Sequence, residues 1–407
     1  MSETIADHIT VEIQGMLDGL SSTSSKPSMF RVGDRLRRMK PEAYDPEIIA
    51  IGPFHREKPN LQNMEQHKLR YLRLFLQRRN ESVKRCVTII IQHKDMAREC
   101  CAEDIHFDDA EFVKMLILDG CFIVEFLLRF QQEPADRDDP IFQNGHMRSQ
   151  LFHDLMLFEN QIPFFIIDIL LNMNKTDDED IESLIIRPLL ENSIFAGLVK
   201  EPPKVPRSAH HLLGIVHHNL CSSFANVASG DGDPHNIAKT NPAVGLEKAG
   251  ISFQRSEYRN SFRIEFENKV MKIPEWKISD STETLFRNLM AYEHYLTGSP
   301  QKYVTDYAFF MHCLVKSPED ANVLQRSHII TNFSGSDEMV CRLIYELGKD
   351  IIISERFPYS NIFFTVDRHC ARIRNTWMAA LKREYFNNPW TAISVFAAFI
   401  LLGLTLT

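Results

Sequence analysis

EFVKMLILDGCFIVEFLLRF, residues 111–130, is the stretch of sequence that decides the fold. Most of its residues are apolar, and four charged residues interrupt the apolar run: Lys114, Asp119, Glu125 and Arg129. These charges make a membrane span implausible, because each of them would lie in hydrocarbon. An apolar surface on most faces of a helix instead predicts a central buried helix, in which Glu125 and Arg129 lie one turn apart and pair.

Composition and charge narrow the class of protein. The chain has 407 residues, 44% hydrophobic and 25% charged, which is typical of a folded globular protein and excludes wholesale disorder. Lys and Arg total 46 against 54 for Asp and Glu, a net charge of -8, so we expect no nucleic-acid partner. The eight cysteines are scattered without CxxC spacing, which favours reduced and mostly buried thiols.

Helical periodicity continues on both sides of the central stretch. Upstream, residues 61–79 place apolar side chains on one stripe with basic residues opposite, and residues 3–20 predict a loosely attached leading helix. Downstream, residues 151–173 are helical on either side of Pro163, which must break the helix because it cannot donate to the ladder. Later helices are predicted at about 280–298, 302–315, 319–332, 337–354 and 360–386.

A short region of β-structure follows the loop-like residues 229–245. Apolar residues there alternate with polar ones, a period of two that is typical of strands: Phe262, Ile264, Phe266, Met271 and Ile273. The pattern predicts a β-hairpin with its turn at Asn268 and a third strand at 251–254.

The predicted fold class is therefore mainly α (α+β): a multi-helix globular body with a small antiparallel β-hairpin region and one C-terminal transmembrane helix. We divide the chain into an N-terminal helix with a Ser-rich linker, a helical N-terminal part, a loop, a hairpin with a helical C-terminal part, and a transmembrane tail. The bounds are 1–28, 29–228, 229–245, 246–388 and 389–407.

The transmembrane prediction depends on WTAISVFAAFILLGLTL, residues 390–406, which carries no charge. At about 1.5 Å per residue the run spans roughly 26 Å, close to the ~30 Å hydrocarbon core. Upstream basic and aromatic residues favour a tail anchor in the plasma membrane or an endomembrane with a cytosolic body; the alternative is a C-terminal core helix. The predicted anchor residues are Trp390, Ile393, Val395, Phe396, Phe399, Ile400, Leu401, Leu402, Leu404 and Leu406.

The sequence carries no common catalytic motif, since the P-loop, GxGxxG, HExxH and GxSxG patterns are all missing. Glu159, Asn160 and Gln161 form a polar cluster between apolar runs, for which helix capping and core hydrogen bonding are favoured over a site. HHLLGIVHH, residues 210–218, lacks histidines at i and i+4 as a zinc helix has them, which favours a surface or interhelix cluster. We therefore predict no catalytic residue, no cofactor and no metal.

Six blocks, in order, resemble the plant domain-of-unknown-function 247 family. Besides residues 111–130, the blocks are MFRVGDRLRRMKPEAYDPEIIAIGPFHREKPNLQNMEQHKLRYL (29–72), HDLMLFENQIPFFII (153–167), DSTETLFRNLMAYEH (280–294), GSDEMV (335–340) and LKREYFNNPWTAISVFAAFILL (381–402). The resemblance covers residues 28–407 and implies a plant protein. Some grass members are linked to self-incompatibility, which implies a recognition role, and the family offers no catalytic residues to carry over.

We expect a membrane-anchored, non-enzymatic recognition or scaffold protein that acts through protein-protein interaction. The resemblance implies self-incompatibility-like cell recognition or signalling as its setting. The alternatives are an enzyme of unfamiliar type, built on residues 159–161 or on the histidines of 210–218, and a cytosol-facing trafficking or stress adaptor. The expected partners are the membrane, through the C-terminal helix, and a protein that the sequence does not identify.

Overall fold

The computed structural model describes residues 2–18, 27–131, 139–175, 180, 182–191, 204–206, 210–225, 241–257, 262–296 and 301–372. Its α-helices are α1 (Ser2–Asp18), α2 (Asp34–Met39), α3 (Asn63–Arg78), α4 (Val83–Ile91), α5 (Lys94–Glu99), α6 (Asp109–Phe130), α7 (Pro140–Gln143), α8 (Gly145–Leu155), α9 (Phe164–Asn174), α10 (Arg187–Glu191), α11 (Leu212–Ala225), α12 (Ala243–Lys248), α13 (Thr282–Tyr295), α14 (Tyr303–Leu314), α15 (Pro318–Arg326), α16 (Asp337–Gly348) and α17 (Ser360–Cys370). Single turns of 3₁₀-helix lie at Pro41–Tyr44 and Pro59–Leu61, and a π-helical turn at Glu182–Ile186.

Helix α6 is the central buried helix that its sequence predicts. The Asp108 side chain caps it by accepting from the Glu111 amide at 2.8 Å. From Phe112 to Leu128 every side chain except Lys114 is buried, mainly against α3 and α9. The helix therefore forms the middle of the N-terminal part.

The charges inside α6 are all paired. Asp119 lies 2.6 Å from the Lys68 ammonium of α3, and Glu125 accepts two hydrogen bonds from the Arg78 guanidinium at 2.8 and 3.0 Å. The predicted pair of Glu125 with Arg129 is confirmed at 3.9 Å. Pairing is what makes these groups tolerable, because a buried charge without a partner costs several kcal/mol.

The predicted β-hairpin is confirmed. Strand β2 (Glu265–Glu267) pairs antiparallel with β3 (Val270–Ile273), and the two turn residues Asn268 and Lys269 both have positive φ, 50° and 67°. The third strand, β1 (Ser252–Arg255), is also present and pairs parallel with β3, which gives the order β1-β3-β2.

A second sheet was not predicted, and the helix predicted at 319–332 is wrong in its last turn, because α15 ends at Arg326 and a strand follows. Strands β4 (Trp276–Ile278) and β5 (Ile330–Asn332) pair parallel, although more than one helix separates them in the chain. The Trp276 ring packs on Phe286 of α13 with the ring centroids 4.9 Å apart. This sheet places the start of α13 beside α16.

The N- and C-terminal parts share hydrogen bonds and a continuous core. The Asn288 side chain of α13 donates to the Ala43 carbonyl at 2.7 Å and accepts from the Phe158 amide at 2.8 Å. Apolar residues of both parts belong to one buried cluster. The turn around Ala43 in the N-terminal part is therefore held against α13 of the C-terminal part.

The transmembrane helix in the predicted fold class is corrected. Within the described ranges, no helix has both the length and the apolarity needed to cross a bilayer. The 22-residue helix α6 is long enough, but it carries charged side chains that are paired inside the protein core. The predicted tail at 389–407, with every anchor residue from Trp390 to Leu406, lies outside the described residues. The structure supports a helix-rich fold with two small sheets. It does not support the predicted anchor, nor the membrane location and membrane partner that depended on that anchor.

Candidate functional site

The predicted polar cluster lies in the turn between α8 and α9, where all three side chains are buried. Asn160 accepts from the Ile51 amide at 2.7 Å and donates to the carbonyls of Ile49 and Asp154 at 3.1 and 2.9 Å. It does not cap α9, whose N-cap is Pro163. The Asn160 side chain thus joins the 49–51 segment to the end of α8.

Gln161 has a similar role on the other side of the turn. Its amide nitrogen donates to the carbonyls of Leu155 and Leu157, both at 2.8 Å, and its oxygen accepts from the Leu213 amide at 3.3 Å. Every partner is a backbone group. The side chain therefore connects the turn to the start of α11.

Glu159 is the charged member of the cluster. It accepts from the Val32 amide at 2.6 Å, and Arg37 Nη2 and His55 Nε2 lie 2.6 and 3.4 Å from its second oxygen. Burial acts to raise the pKa of Glu159, but His55, the Val32 amide and Arg37 outweigh burial, and the pKa is lowered. Glu159 is therefore an ionised group that holds the segment from Val32 to His55 in place.

The four histidines of residues 210–218 do not come together. His210 and His218 are exposed, whereas His211 is fully buried and its Nδ1 accepts from the Gly214 amide at 3.2 Å. Burial lowers the pKa of His211 to about 3, so its ring is neutral. His217 points instead towards α13.

His217 meets two residues that sequence reasoning did not connect with it. Its Nε2 lies 2.8 Å from Oε1 of Glu293 on α13 and 3.5 Å from Sγ of Cys221, one turn further along α11. The spacing of four between His217 and Cys221 is a local signal, but it does not stand out among histidines alone. The contribution of Glu293, 76 residues away, has no local signal.

This cluster is not arranged for nucleophilic catalysis. In a thiol relay one imidazole nitrogen faces the nucleophile while the other is held by the acid. Here the thiol and the carboxylate both contact Nε2. Burial also raises the pKa of the Cys221 thiol well above its usual range, so the nucleophilic thiolate is disfavoured.

A larger open site lies elsewhere, in a groove of about 610 Å³ between residues 39–42, the junction of β4 with α13, and α16. We call it the groove. Its floor is an ion triad in which Glu283 lies 2.6 Å from Lys40 Nζ and accepts from Arg287 Nε at 2.8 Å. Burial acts to raise the pKa of Glu283, but Lys40 and Arg287 outweigh it and the pKa is lowered. The floor is thus charged and internally paired.

Glu283 does not cap its own helix, although its spacing from Asp280 is that of a capping residue. Asp280 with Glu283 resembles a capping box, yet the N-cap of α13 is Ser281 and no side chain caps it. Glu283 instead faces the groove, because Lys40 approaches from a segment 243 residues earlier in the chain.

The rim of the groove differs from its floor. Glu42, Asp280, Glu346 and Arg342 line the groove, and in the part of the chain that the structure describes their side chains form no ion pair or hydrogen bond. Met339 also lines it and is 52% exposed, and Phe333, which adjoins the lining residue Ser334, is 68% exposed. Unpaired charge and exposed apolar surface therefore lie side by side.

A second cavity, of about 260 Å³, lies at the N-terminal end of α2 and is lined by Arg35, His294, Tyr295, Lys302 and Ile352 among others. The Tyr295 hydroxyl accepts from the Gly33 amide at 2.8 Å in its wall. Neither cavity is lined by residues 159–161. The predicted polar cluster is thus placed beside neither of them.

Comparisons with known proteins agree with the resemblance seen in the sequence. The profile of a family described as "Plant protein of unknown function" matches residues 29–404. UPF0481 protein At3g47200 of Arabidopsis thaliana is 27% identical over 403 residues, which cover 93% of this chain and 84% of that protein. Putative UPF0481 protein At3g02645, also from Arabidopsis thaliana, is 20% identical over 478 residues, covering 93% and 88%. No solved structure gives a significant match.

Proposed function

The chain belongs to the plant domain-of-unknown-function 247 family, and from that premise we propose that it is a non-enzymatic protein-recognition module. The groove binds an extended segment of a partner protein that carries apolar and basic side chains. One observation carries the proposal: the charges of the groove floor are satisfied within the chain, whereas those of the rim are not.

The charges of the rim define the partner. At the rim, three carboxylates, Glu42, Asp280 and Glu346, are opposed by one guanidinium, Arg342. The floor has one more cation than carboxylate, so the groove as a whole keeps a net charge of -1. The excess of negative charge favours lysine or arginine in the bound segment and disfavours an acidic one, because complementary charge steers binding and like charge excludes it.

Apolar groups provide the rest of the contact. Met39, Met339 and Leu343 line the groove next to the charged rim. Methionine side chains adapt to different partner shapes because they are unbranched and polarisable. A volume of about 610 Å³ is within the range of specific binding clefts and accommodates a few side chains rather than a folded domain.

Two settings fit such a module equally well. Self-incompatibility-like recognition and a trafficking or stress adaptor both need a protein-binding groove, and they differ in the partner. The enzyme alternative gains no support from geometry, because residues 159–161 are bonded mainly to backbone groups and the thiol relay at His217 is not formed.

A selection from random peptides tests the proposal. The purified chain is used to select ten-residue peptides, and the affinity of the best one is measured by fluorescence anisotropy. We expect peptides that combine apolar residues with lysine or arginine. Reversing charge with Glu346→Arg should weaken the affinity about tenfold or more, the range of a favourable close charge pair.

Glu355→Arg is the matched control, since Glu355 is an exposed carboxylate outside the groove. It makes the same change in net charge and should leave the affinity within about twofold, because exposed charges far from a site are largely screened. Selection of acidic peptides, or equal effects of the two variants, would overturn the proposal.

A further inference from the structure

We infer that His217, Cys221 and Glu293 form a binding site for one divalent transition-metal ion, with Zn²⁺ as the best match. The inference is independent of the groove and of the proposed function. Among the described residues, these three offer ligand atoms that all lie within 4.8 Å of one another. All three side chains are largely or fully buried.

The distances suit a tetrahedral ion. Zinc binds imidazole nitrogen at about 2.0–2.1 Å and thiolate sulfur at about 2.3 Å, so two such ligands at a tetrahedral angle lie roughly 3.5 Å apart. The separation of His217 Nε2 from Cys221 Sγ is 3.5 Å. Glu293 Oε1 lies 2.8 Å from the same nitrogen, which is the distance of a hydrogen bond. It would move slightly away from that nitrogen as the ion enters.

The three ligand atoms converge on one another, with Nε2 of His217 between the other two. Nε2 of His217 faces both Oε1 of Glu293 and Sγ of Cys221, and a single N–H group donates well to only one acceptor. Once the thiol proton leaves and the imidazole proton moves to Nδ1, three lone pairs face one buried point. A cation placed between them satisfies all three lone pairs at once.

The surrounding structure orients the carboxylate as a ligand requires. Glu293 accepts from the amides of Val304 and Thr305, both at 2.9 Å, and from the Thr305 hydroxyl at 2.7 Å. The Tyr292 ring packs edge-on against the His217 ring with the centroids 5.1 Å apart. Such outer contacts fix ligand geometry at metal centres.

The donor set points to the kind of ion. One thiolate, one imidazole and one carboxylate combine soft and borderline ligands, which suits Zn²⁺ and disfavours Mg²⁺ and Ca²⁺, since these prefer oxygen alone. Binding releases the thiol proton of Cys221 and moves the imidazole proton of His217 from Nε2 to Nδ1. Because α11 and α13 supply the ligands, the ion would cross-link the two parts of the chain.

Cobalt provides the direct test. The full chain is stripped with a chelator, dialysed and titrated with Co²⁺, which reports thiolate ligation by a charge-transfer band in the near ultraviolet. We expect one Co²⁺ per chain and loss of the band when Zn²⁺ is added. Cys221→Ser should abolish the band and weaken Zn²⁺ affinity by more than about tenfold, since even the loss of an outer contact costs that much.

Cys341→Ser is the matched control, because Cys341 is a partly exposed free thiol on α16. It should keep the band and the Zn²⁺ affinity of the unaltered chain. Zinc-edge X-ray absorption on the unaltered chain, which needs no variant to fold, should show one sulfur neighbour among nitrogen and oxygen neighbours. Absence of the band, its survival in Cys221→Ser, or a zinc spectrum without sulfur would overturn the site.

Discussion

The buried carboxylates Asp119 and Asp154, which bind backbone amides of residues 47–52, and the exposed carboxylates at the rim of the groove are the same chemical group in opposite surroundings. Asp119 accepts from Lys68 at 2.6 Å and from the Gly52 amide at 2.8 Å, and Asp154 accepts from three consecutive backbone amides at 2.8–2.9 Å. The side chains of Glu42 and Glu346 have no such partner within the described part of the chain.

The difference separates groups that hold the fold from groups that are available to a partner. A buried carboxylate must be paired, because its desolvation costs several kcal/mol. An exposed one keeps its water and needs no partner. A buried carboxylate such as Glu159 is therefore by itself weak evidence for a protein-binding site, and the rim of the groove is the better place to look for one.

Removing the cation beside Asp119 should have the largest effect. Lys68→Met leaves Asp119 buried with the Gly52 amide and, at 3.7 Å, the Arg56 guanidinium as its remaining described partners. It should lower the free energy of unfolding by about 3–5 kcal/mol in urea denaturation. Lys114→Met, at the exposed position of the neighbouring helix α6, should change it by less than about 0.5 kcal/mol. Equal effects would show that the buried pair does not hold the fold.

Removing the Asn160 amide should come next. Asn160→Ala leaves the Ile51 amide and the carbonyls of Ile49 and Asp154 buried without their partner, which should cost about 2–3 kcal/mol in the same measurement. Asn172→Ala, which removes only contacts to the neighbouring Asp168 on an exposed surface, should cost less than about 0.5 kcal/mol. A fully stable Asn160→Ala protein would reopen the interpretation of residues 159–161 as a site.

A smaller effect should appear as a dependence on pH. Burial raises the pKa of Asp306 on α14 from its ordinary 3.8 to about 7. Between these values the native state holds a proton that the unfolded state has released, so stability is lost as pH rises through the native pKa. From pH 6 to pH 8 the loss should be about 1.4 kcal/mol.

Asp306→Asn tests this assignment, because the amide keeps the shape and removes the charge. Its urea denaturation, in buffer with a chelator, should lack the part of the pH dependence that Asp306 contributes. Glu159 should act in the opposite sense, since its pKa is lowered and the stability it contributes is lost as pH falls. An unchanged slope in Asp306→Asn would show that Asp306 is ionised in the native state.

The smallest effect on stability is expected at the rim. Asp280→Asn and Glu346→Gln remove groups that have no partner in the described chain, so each should change the free energy of unfolding by less than about 0.5 kcal/mol. Thermal melting of each variant beside the unaltered chain measures this. A loss of more than about 1 kcal/mol in either variant would place that carboxylate among the groups that hold the fold.

Several features of the fold were predictable from neighbouring residues alone. The apolar periodicity of residues 111–130 predicted a buried helix, and alternation around Asn268 predicted the hairpin. The cluster at residues 159–161 was recognised as polar and enclosed by apolar runs, but its partners at Val32 and Ile51 were not, because they lie more than 100 residues away.

The amino-acid sequence by itself determined the central helix, the hairpin and the family, since periodicity, turn chemistry and ordered blocks of residues are all local properties. Only the tertiary structure decided that Glu283 faces Lys40, that β4 pairs with β5, and that His217 and Cys221 meet Glu293. The physical reason is that these contacts join segments far apart in the chain, and packing of the whole core, rather than any local preference, brings them together.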